Sequence, residues 1–65
     1  MDFQTRREVE LLVEAAGGPS ELGRRMGMTR QRIQNWRMAG RIPEMVARAF
    51  GPMFKRIMAK AKVTT

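Results

Sequence analysis

Hydrogen-bonding side chains are concentrated in residues 29–38 of this 65-residue chain. The segment is rich in guanidinium and amide groups and holds no acidic residue. Arginine pairs with O6 and N7 of guanine, and glutamine or asparagine pairs with N6 and N7 of adenine. A helix face that is merely solvated usually mixes acidic with basic residues, so this composition favours contact with base edges. We call the following five side chains the readout face: Arg30, Gln31, Arg32, Gln34 and Asn35.

A helix over Arg30–Met38 would position the readout face. Ile33 and Trp36 are three residues apart, so they lie on one side of such a helix and turn the polar residues outward. Thr29 is a suitable amino-terminal cap, because its hydroxyl accepts a hydrogen bond from a backbone N–H of the first turn. Gly40 ends the helix.

The preceding residues predict a second helix. Residues 19–26 begin with proline, which suits a first helical turn, and Leu22 and Met26 face the core. Gly23 has no side chain to obstruct a crossing helix, and Gly27 tolerates the positive φ that a tight turn requires. Two helices joined in this way form a helix-turn-helix, the motif that places its second helix in the major groove of DNA.

Further helices are expected around this pair. Residues 5–16 carry an apolar stripe, and Gly17 and Gly18 end that helix. The stripe consists of Val9, Leu12, Val13 and Ala16. Pro43 opens a fourth helix that Gly51 and Pro52 close. Its residues expected to face inward are Met45, Val46, Ala49 and Phe50.

The tail has apolar residues at helical spacing, which favours a fifth helix over a β-hairpin, the alternative. These residues are Met53, Phe54, Ile57, Met58 and Ala61, and they form either core or a dimer contact. The basic residues Lys55, Arg56, Lys60 and Lys62 form either phosphate contacts or a solvated face. The predicted fold is all-α: a compact bundle of four to five short helices in one domain spanning residues 1–65.

Composition narrows the possible functions. The net charge is +7, and residues 20–41 carry six arginines against one glutamate, which favours a polyanionic partner. The chain has no histidine or cysteine, so we expect no catalytic residue, no metal and no cofactor. No apolar run approaches the roughly 20 residues that cross a bilayer, and no signal peptide is visible, so a cytoplasmic protein is expected.

Residues 19–44, PSELGRRMGMTRQRIQNWRMAGRIPE, resemble the helix-turn-helix of phage Cro proteins and related Cro-type repressors. The resemblance is carried by Leu22-Gly23, Gly27-Met28-Thr29, Ile33, Trp36 and the exit Ala39-Gly40-Arg41-Ile42-Pro43. It implies a transcriptional repressor that binds a palindromic double-stranded DNA operator as a homodimer. It also implies action in the cytoplasm or nucleoid of a bacterial host, with no small-molecule ligand and no membrane.

The resemblance also implies roles for individual residues. In the family, the positions of Thr29, Arg30, Gln31, Gln34 and Asn35 contact bases and phosphates, and the basic residue after the glycine contacts the backbone or a nearby base. Arg30 and Arg32 differ from the glutamines and small residues common there, so the operator sequence does not follow from the resemblance. The expected DNA-binding set is Thr29, Arg30, Gln31, Arg32, Gln34, Asn35, Met38 and Arg41.

Three other functions are the alternatives to this one. An enzyme would need an acid, base or nucleophile, and the chain lacks His, Cys, Tyr and any recognisable pair of carboxylates at metal-ligand spacing. A membrane-surface peptide fits the basic amphipathic residues 53–62 but leaves Gly23, Gly27 and Trp36 unexplained. An antitoxin-type or plasmid regulator would use the same DNA-binding unit, and the sequence does not distinguish it from a phage repressor.

Overall fold

Five helices make up the part of the chain that the computed structural model describes, residues 3–63. In chain order they are α1 (Arg6–Ala16), α2 (Pro19–Met26), α3 (Arg30–Ala39), α4 (Glu44–Ala49) and α5 (Gly51–Val63). These residues contain no strand, so the predicted all-α bundle is confirmed and the tail is a helix. α1 packs against α2, α3 and α5, and α4 packs against α5. Within residues 3–63, no helix has the length and apolarity needed to cross a bilayer.

Local chemistry sets the limits of α1. The Thr5 hydroxyl accepts a hydrogen bond from the Glu8 N–H at 3.2 Å, and the Glu8 carboxylate accepts one from the Gln4 N–H at 3.2 Å. These bonds satisfy N–H groups that have no partner inside the helix. Gly17 ends α1 in the left-handed conformation, with φ of 101°. The predicted stripe is buried throughout: Val9, Leu12, Val13 and Ala16.

The fourth helix is less buried than predicted. α4 has six residues, so only a narrow edge of it meets the core. Val46, Ala47 and Phe50 are half-buried and pack against the core, whereas Met45 is 84% exposed and Ala49 is exposed. The prediction that Met45 and Ala49 face inward is therefore wrong. The contact with the core is made instead by Val46 and Ala47 of the helix and by Phe50 directly after it.

The break after α4 is also tighter than predicted. Gly51 and Pro52 do not close α4, as was predicted, because α4 already ends at Ala49, α5 begins at Gly51 and only Phe50 separates the two helices. A proline in the first turn of a helix is tolerated, since its missing N–H would have had no helical acceptor. In the stripe of α5, Phe54 and Ile57 are buried, and Met53, Met58 and Ala61 are half-buried. Its basic residues Lys55, Arg56 and Lys60 are exposed, and the side chain of Lys62 lies outside the described residues.

Two residues outside the predicted core complete it. Phe3 and Ile42 are 6% and 0% exposed. The Phe3 ring meets the Phe54 ring edge to face at 5.1 Å between centroids. The Ile42 N–H donates to the Phe3 carbonyl at 2.9 Å, and Gln4 Nε2 donates to the Ile42 carbonyl at 3.1 Å. The amino-terminal segment is thereby bound to the loop between α3 and α4.

Candidate nucleic-acid interface

Hydrogen bonds around Gly27 build the turn between α2 and α3. Gly27 has φ of 69°, as predicted, and its N–H donates to the Arg24 carbonyl at 3.3 Å. The Met28 N–H donates to the Gly23 carbonyl at 2.8 Å. This pair of bonds is a Schellman motif, which satisfies the last carbonyls of a helix and needs a left-handed residue in the middle. The turn therefore fixes the direction in which the chain enters α3.

Gly23 is buried because the backbone of this turn lies against it. A Cβ at this position would come within 2.8 Å of the Met28 carbonyl oxygen and 3.4 Å of the Thr29 carbonyl carbon. Both are backbone atoms, which cannot rotate away as a flexible side chain does. The predicted close approach at Gly23 is real, but the turn, and not the body of the crossing helix, makes it.

We expect Gly23→Ala to lower the free energy of unfolding by up to about 2 kcal/mol. Overpacking costs about 1–3 kcal/mol, and alanine returns about 1 kcal/mol as the better helix former. The measurement is urea denaturation followed by circular dichroism. Gly51→Ala is the matched control, because a Cβ there meets nothing within 4 Å. Equal denaturation midpoints for the two variants would contradict the tight packing at Gly23.

The two ends of α3 and the residues on its buried side agree with the prediction from the sequence. The Thr29 hydroxyl accepts from the Arg32 N–H at 3.2 Å and caps the helix. Ile33 is fully buried, and Trp36 is 7% exposed. Gly40, with φ of 76°, ends the helix, and its N–H donates to the Trp36 carbonyl at 2.8 Å. The residues that fix α3 in the fold are thus different from those of the readout face.

The readout face points away from the core. Arg30, Gln31, Arg32 and Asn35 are exposed, and Gln34 is half-buried. The remaining members of the expected DNA-binding set, Thr29, Met38 and Arg41, are exposed as well. Met38, which is 76% exposed, follows Gln31 by seven residues and so lies on the same side of the helix. The eight residues therefore lie on α3, at its cap and in the loop that follows it.

The three amides of the readout face take part in two separate hydrogen bonds, one between two amides and one between an amide and a guanidinium. Gln31 Nε2 donates to Asn35 Oδ1 at 3.0 Å, in an exposed position. Arg37 Nη1 donates to Gln34 Oε1 at 3.0 Å, in a half-buried one. Arg37 was not among the predicted site residues. Its position three residues after Gln34 is the signal that could have found it, because such residues are neighbours on a helix surface.

Comparison with known proteins adds no relative. No family model, curated protein or solved structure matches the chain. In residues 3–63 we also find no group of three or more His, Cys, Asp or Glu side chains that could hold a metal ion.

Charge around the readout face is not neutralised within the domain. The ion pairs of the described residues join Glu21 to two arginines of α2, and Glu44 to Arg48 of α4. No ion pair in this part of the chain reaches the following arginines: Arg30, Arg32, Arg37 and Arg41. For the exposed side chains of Arg30, Arg32 and Arg41, the lack of a carboxylate partner leaves the guanidinium donors available to a phosphate or a base edge. The face is therefore suited to an anionic partner that also offers hydrogen-bond acceptors.

Proposed function

We infer that this domain is a Cro-type transcriptional repressor that binds double-stranded DNA sequence-specifically, with α3 in the major groove of a palindromic operator. One observation carries this proposal: α3 exposes a readout face with no carboxylate, while Ile33 and Trp36 bury its opposite side. The resemblance of residues 19–44 to phage Cro proteins supports the same function.

The size and packing of α3 suit this binding mode. Its ten residues give a length of about 15 Å, and the major groove is about 12 Å wide, enough to admit an α-helix. α2 packs against α3 and in this mode crosses the DNA backbone. Arg41 follows directly after the helix, where its exposed guanidinium would reach a phosphate beside the groove. Backbone contacts of this kind set the register, and the readout face supplies the sequence preference.

The proposed repressor works as a homodimer in the cytoplasm or nucleoid of a bacterial host. One short helix contacts few base pairs, and two copies related by a two-fold axis read a palindrome. Selection of bound sequences from a random duplex pool tests this. We expect a palindrome whose half-site centres lie about 34–36 Å apart. A pool that stays random would refute sequence-specific binding, and an isolated half-site would refute the dimer.

Two alternatives compete with this proposal. An antitoxin-type or plasmid regulator would use the same interface, and only the neighbouring genes would distinguish it. A membrane-surface peptide would need the apolar side of residues 53–62 to be free, but Phe54 and Ile57 are buried in the core of the folded domain. Vesicle co-sedimentation beside a gel shift on duplex DNA would separate the membrane from the nucleic acid.

Replacing Gln31 or Asn35 with alanine should weaken binding to the selected site by about 1–3 kcal/mol and change binding to random DNA little. The two side chains share a hydrogen bond, so the double variant should lose less than the sum of the single losses. Fluorescence anisotropy on both duplexes measures these effects. Both residues are exposed, and unchanged thermal melting is the control for folding. Equal losses on the two duplexes would show that these amides do not read bases.

A further inference from the structure

Gln34 differs from the rest of the readout face in its surroundings. It is half-buried, whereas the other four members are exposed. Together with Arg37 it lines a shallow cleft whose other walls are Arg6, Glu10 and Met38. Its Oε1 accepts the hydrogen bond from Arg37 Nη1 at 3.0 Å. The amide of Gln34 is thus held by its oxygen from the side of the helix next to α1.

Partial burial makes the bond between Arg37 and Gln34 more persistent than the bond between Gln31 and Asn35. The bond between Gln31 and Asn35 is exposed, so water competes for both of its groups. The bond between Arg37 and Gln34 is partly shielded and carries the charge of a guanidinium, which roughly doubles the strength of a hydrogen bond. The orientation of Gln34 is therefore more strongly fixed than that of Gln31 or Asn35.

The hydrogen-bonding state of Arg37 points to the same role. Its Nε is buried and has no hydrogen-bond partner among the described residues. The bond to Gln34 is the one side-chain hydrogen bond that Arg37 makes there, and no carboxylate pairs with it. The hydrogen-bonding capacity of the guanidinium is therefore used only in part within the fold. Its one well-formed contact is with a side chain of the readout face.

A glutamine held by its oxygen presents a different group to DNA from a free one. The oxygen and the NH₂ of an amide stand on the same carbon and point in different directions, so an oxygen engaged by Arg37 favours presentation of the two N–H donors to a partner on the other side. Adenine needs both an acceptor and a donor from the amide, whereas guanine offers two acceptors, O6 and N7, to two donors.

We propose that Arg37 is a positioning residue that turns the NH₂ of Gln34 toward the DNA, so that Gln34 selects guanine rather than adenine at one position of each half-site. This proposal rests on the DNA-binding function proposed above. It replaces, for Gln34 alone, the adenine pairing that the sequence suggests for an isolated glutamine. Gln31 and Asn35 keep the adenine preference.

The test is selection from a random duplex pool with the parent protein, Gln34→Ala and Arg37→Met. Gln34→Ala identifies the base pair that depends on Gln34. At that pair we expect the parent to favour guanine over adenine by about tenfold or more. Arg37→Met keeps a long apolar side chain but removes the guanidinium, and it should reduce the preference to about threefold or less while the other positions stay unchanged.

Three controls make the outcome decisive. Arg48→Met removes an exposed guanidinium from α4 and should leave the guanine preference intact. Arg37→Lys keeps a charge and a donor and should retain part of the preference. In the Gln34→Ala background, Arg37→Met should have no further effect on that base pair. Circular dichroism establishes that each variant is folded before its selection is interpreted.

The failures are distinguishable. If the pool yields no site, the proposed function fails and this inference fails with it. If a palindrome is selected but the Gln34-dependent pair is A·T, the operator-binding function stands and the positioning role of Arg37 is refuted. If Arg37→Met weakens binding to every sequence alike, Arg37 is a phosphate contact, and the positioning role is again refuted.

Discussion

Trp36→Ala is expected to remove much of the stability of the domain and to lower its melting temperature strongly. Trp36 is 7% exposed and lies in the core beside the fully buried Ile33. Truncating a buried aromatic residue removes about 3–5 kcal/mol. A domain of 65 residues has a total stability of about 3–10 kcal/mol by the usual range per residue. The substitution therefore removes much or all of the free energy of unfolding. Thermal melting followed by circular dichroism would measure the change.

Met45→Ala is the matched control for this experiment. Met45 is also a large apolar residue, but it is 84% exposed, and surface substitutions of this kind change stability by about 0.5 kcal/mol or less. We expect its melting curve to overlay that of the parent. If Trp36→Ala melted as cooperatively as the parent and within a few degrees of it, the anchoring of α3 would be wrong, and the orientation of the readout face with it.

The second large expected effect is the dependence of the proposed DNA binding on salt. Raising the salt concentration from about 50 to about 200 mM should weaken binding by about 10³–10⁵-fold, given roughly six to ten phosphate contacts per dimer. The physical reason is the release of counterions when cations of the protein neutralise phosphates. Fluorescence anisotropy titrations at several salt concentrations give the slope of log K against log salt.

Arg41 offers a direct check on this slope. Arg41→Gln should lower its magnitude by roughly one for each protomer, because one phosphate contact is lost. Arg48→Gln is the control, since Arg48 is already paired with Glu44 at 2.7 Å, and its slope should match the parent. A slope near zero for the parent would contradict binding to the DNA backbone altogether.

The helix-turn-helix was predictable because local chemistry sets its limits. Pro19 begins α2, Gly27 takes the left-handed conformation in the turn, Thr29 caps α3 and Gly40 ends it. Each of these effects depends on a residue and its near neighbours in sequence. The side of α3 that faces the core followed from the spacing of Ile33 and Trp36 for the same reason.

The errors arose where contacts between distant parts of the chain decide the outcome. The inward placement of Met45 and Ala49 was wrong because the pattern shows which residues are apolar, not how much core surface a six-residue helix meets. Phe3 was missed because its burial depends on Phe54, which is far away in sequence. Burial of the Arg37 Nε was not predictable from the sequence, although the spacing of Arg37 from Gln34 was visible there.

The tie between Phe3 and Ile42 has a consequence for how this domain tolerates sequence change. The loop that carries Arg41 is held by a backbone bond to residue 3, whose ring in turn rests on Phe54. The ring contact therefore couples position 3 to position 54, whereas the backbone bond to residue 42 does not depend on which side chains are present. Among descendants of this sequence, a change of volume at position 3 or 54 would favour compensation at the other, while the backbone attachment of the loop would be kept.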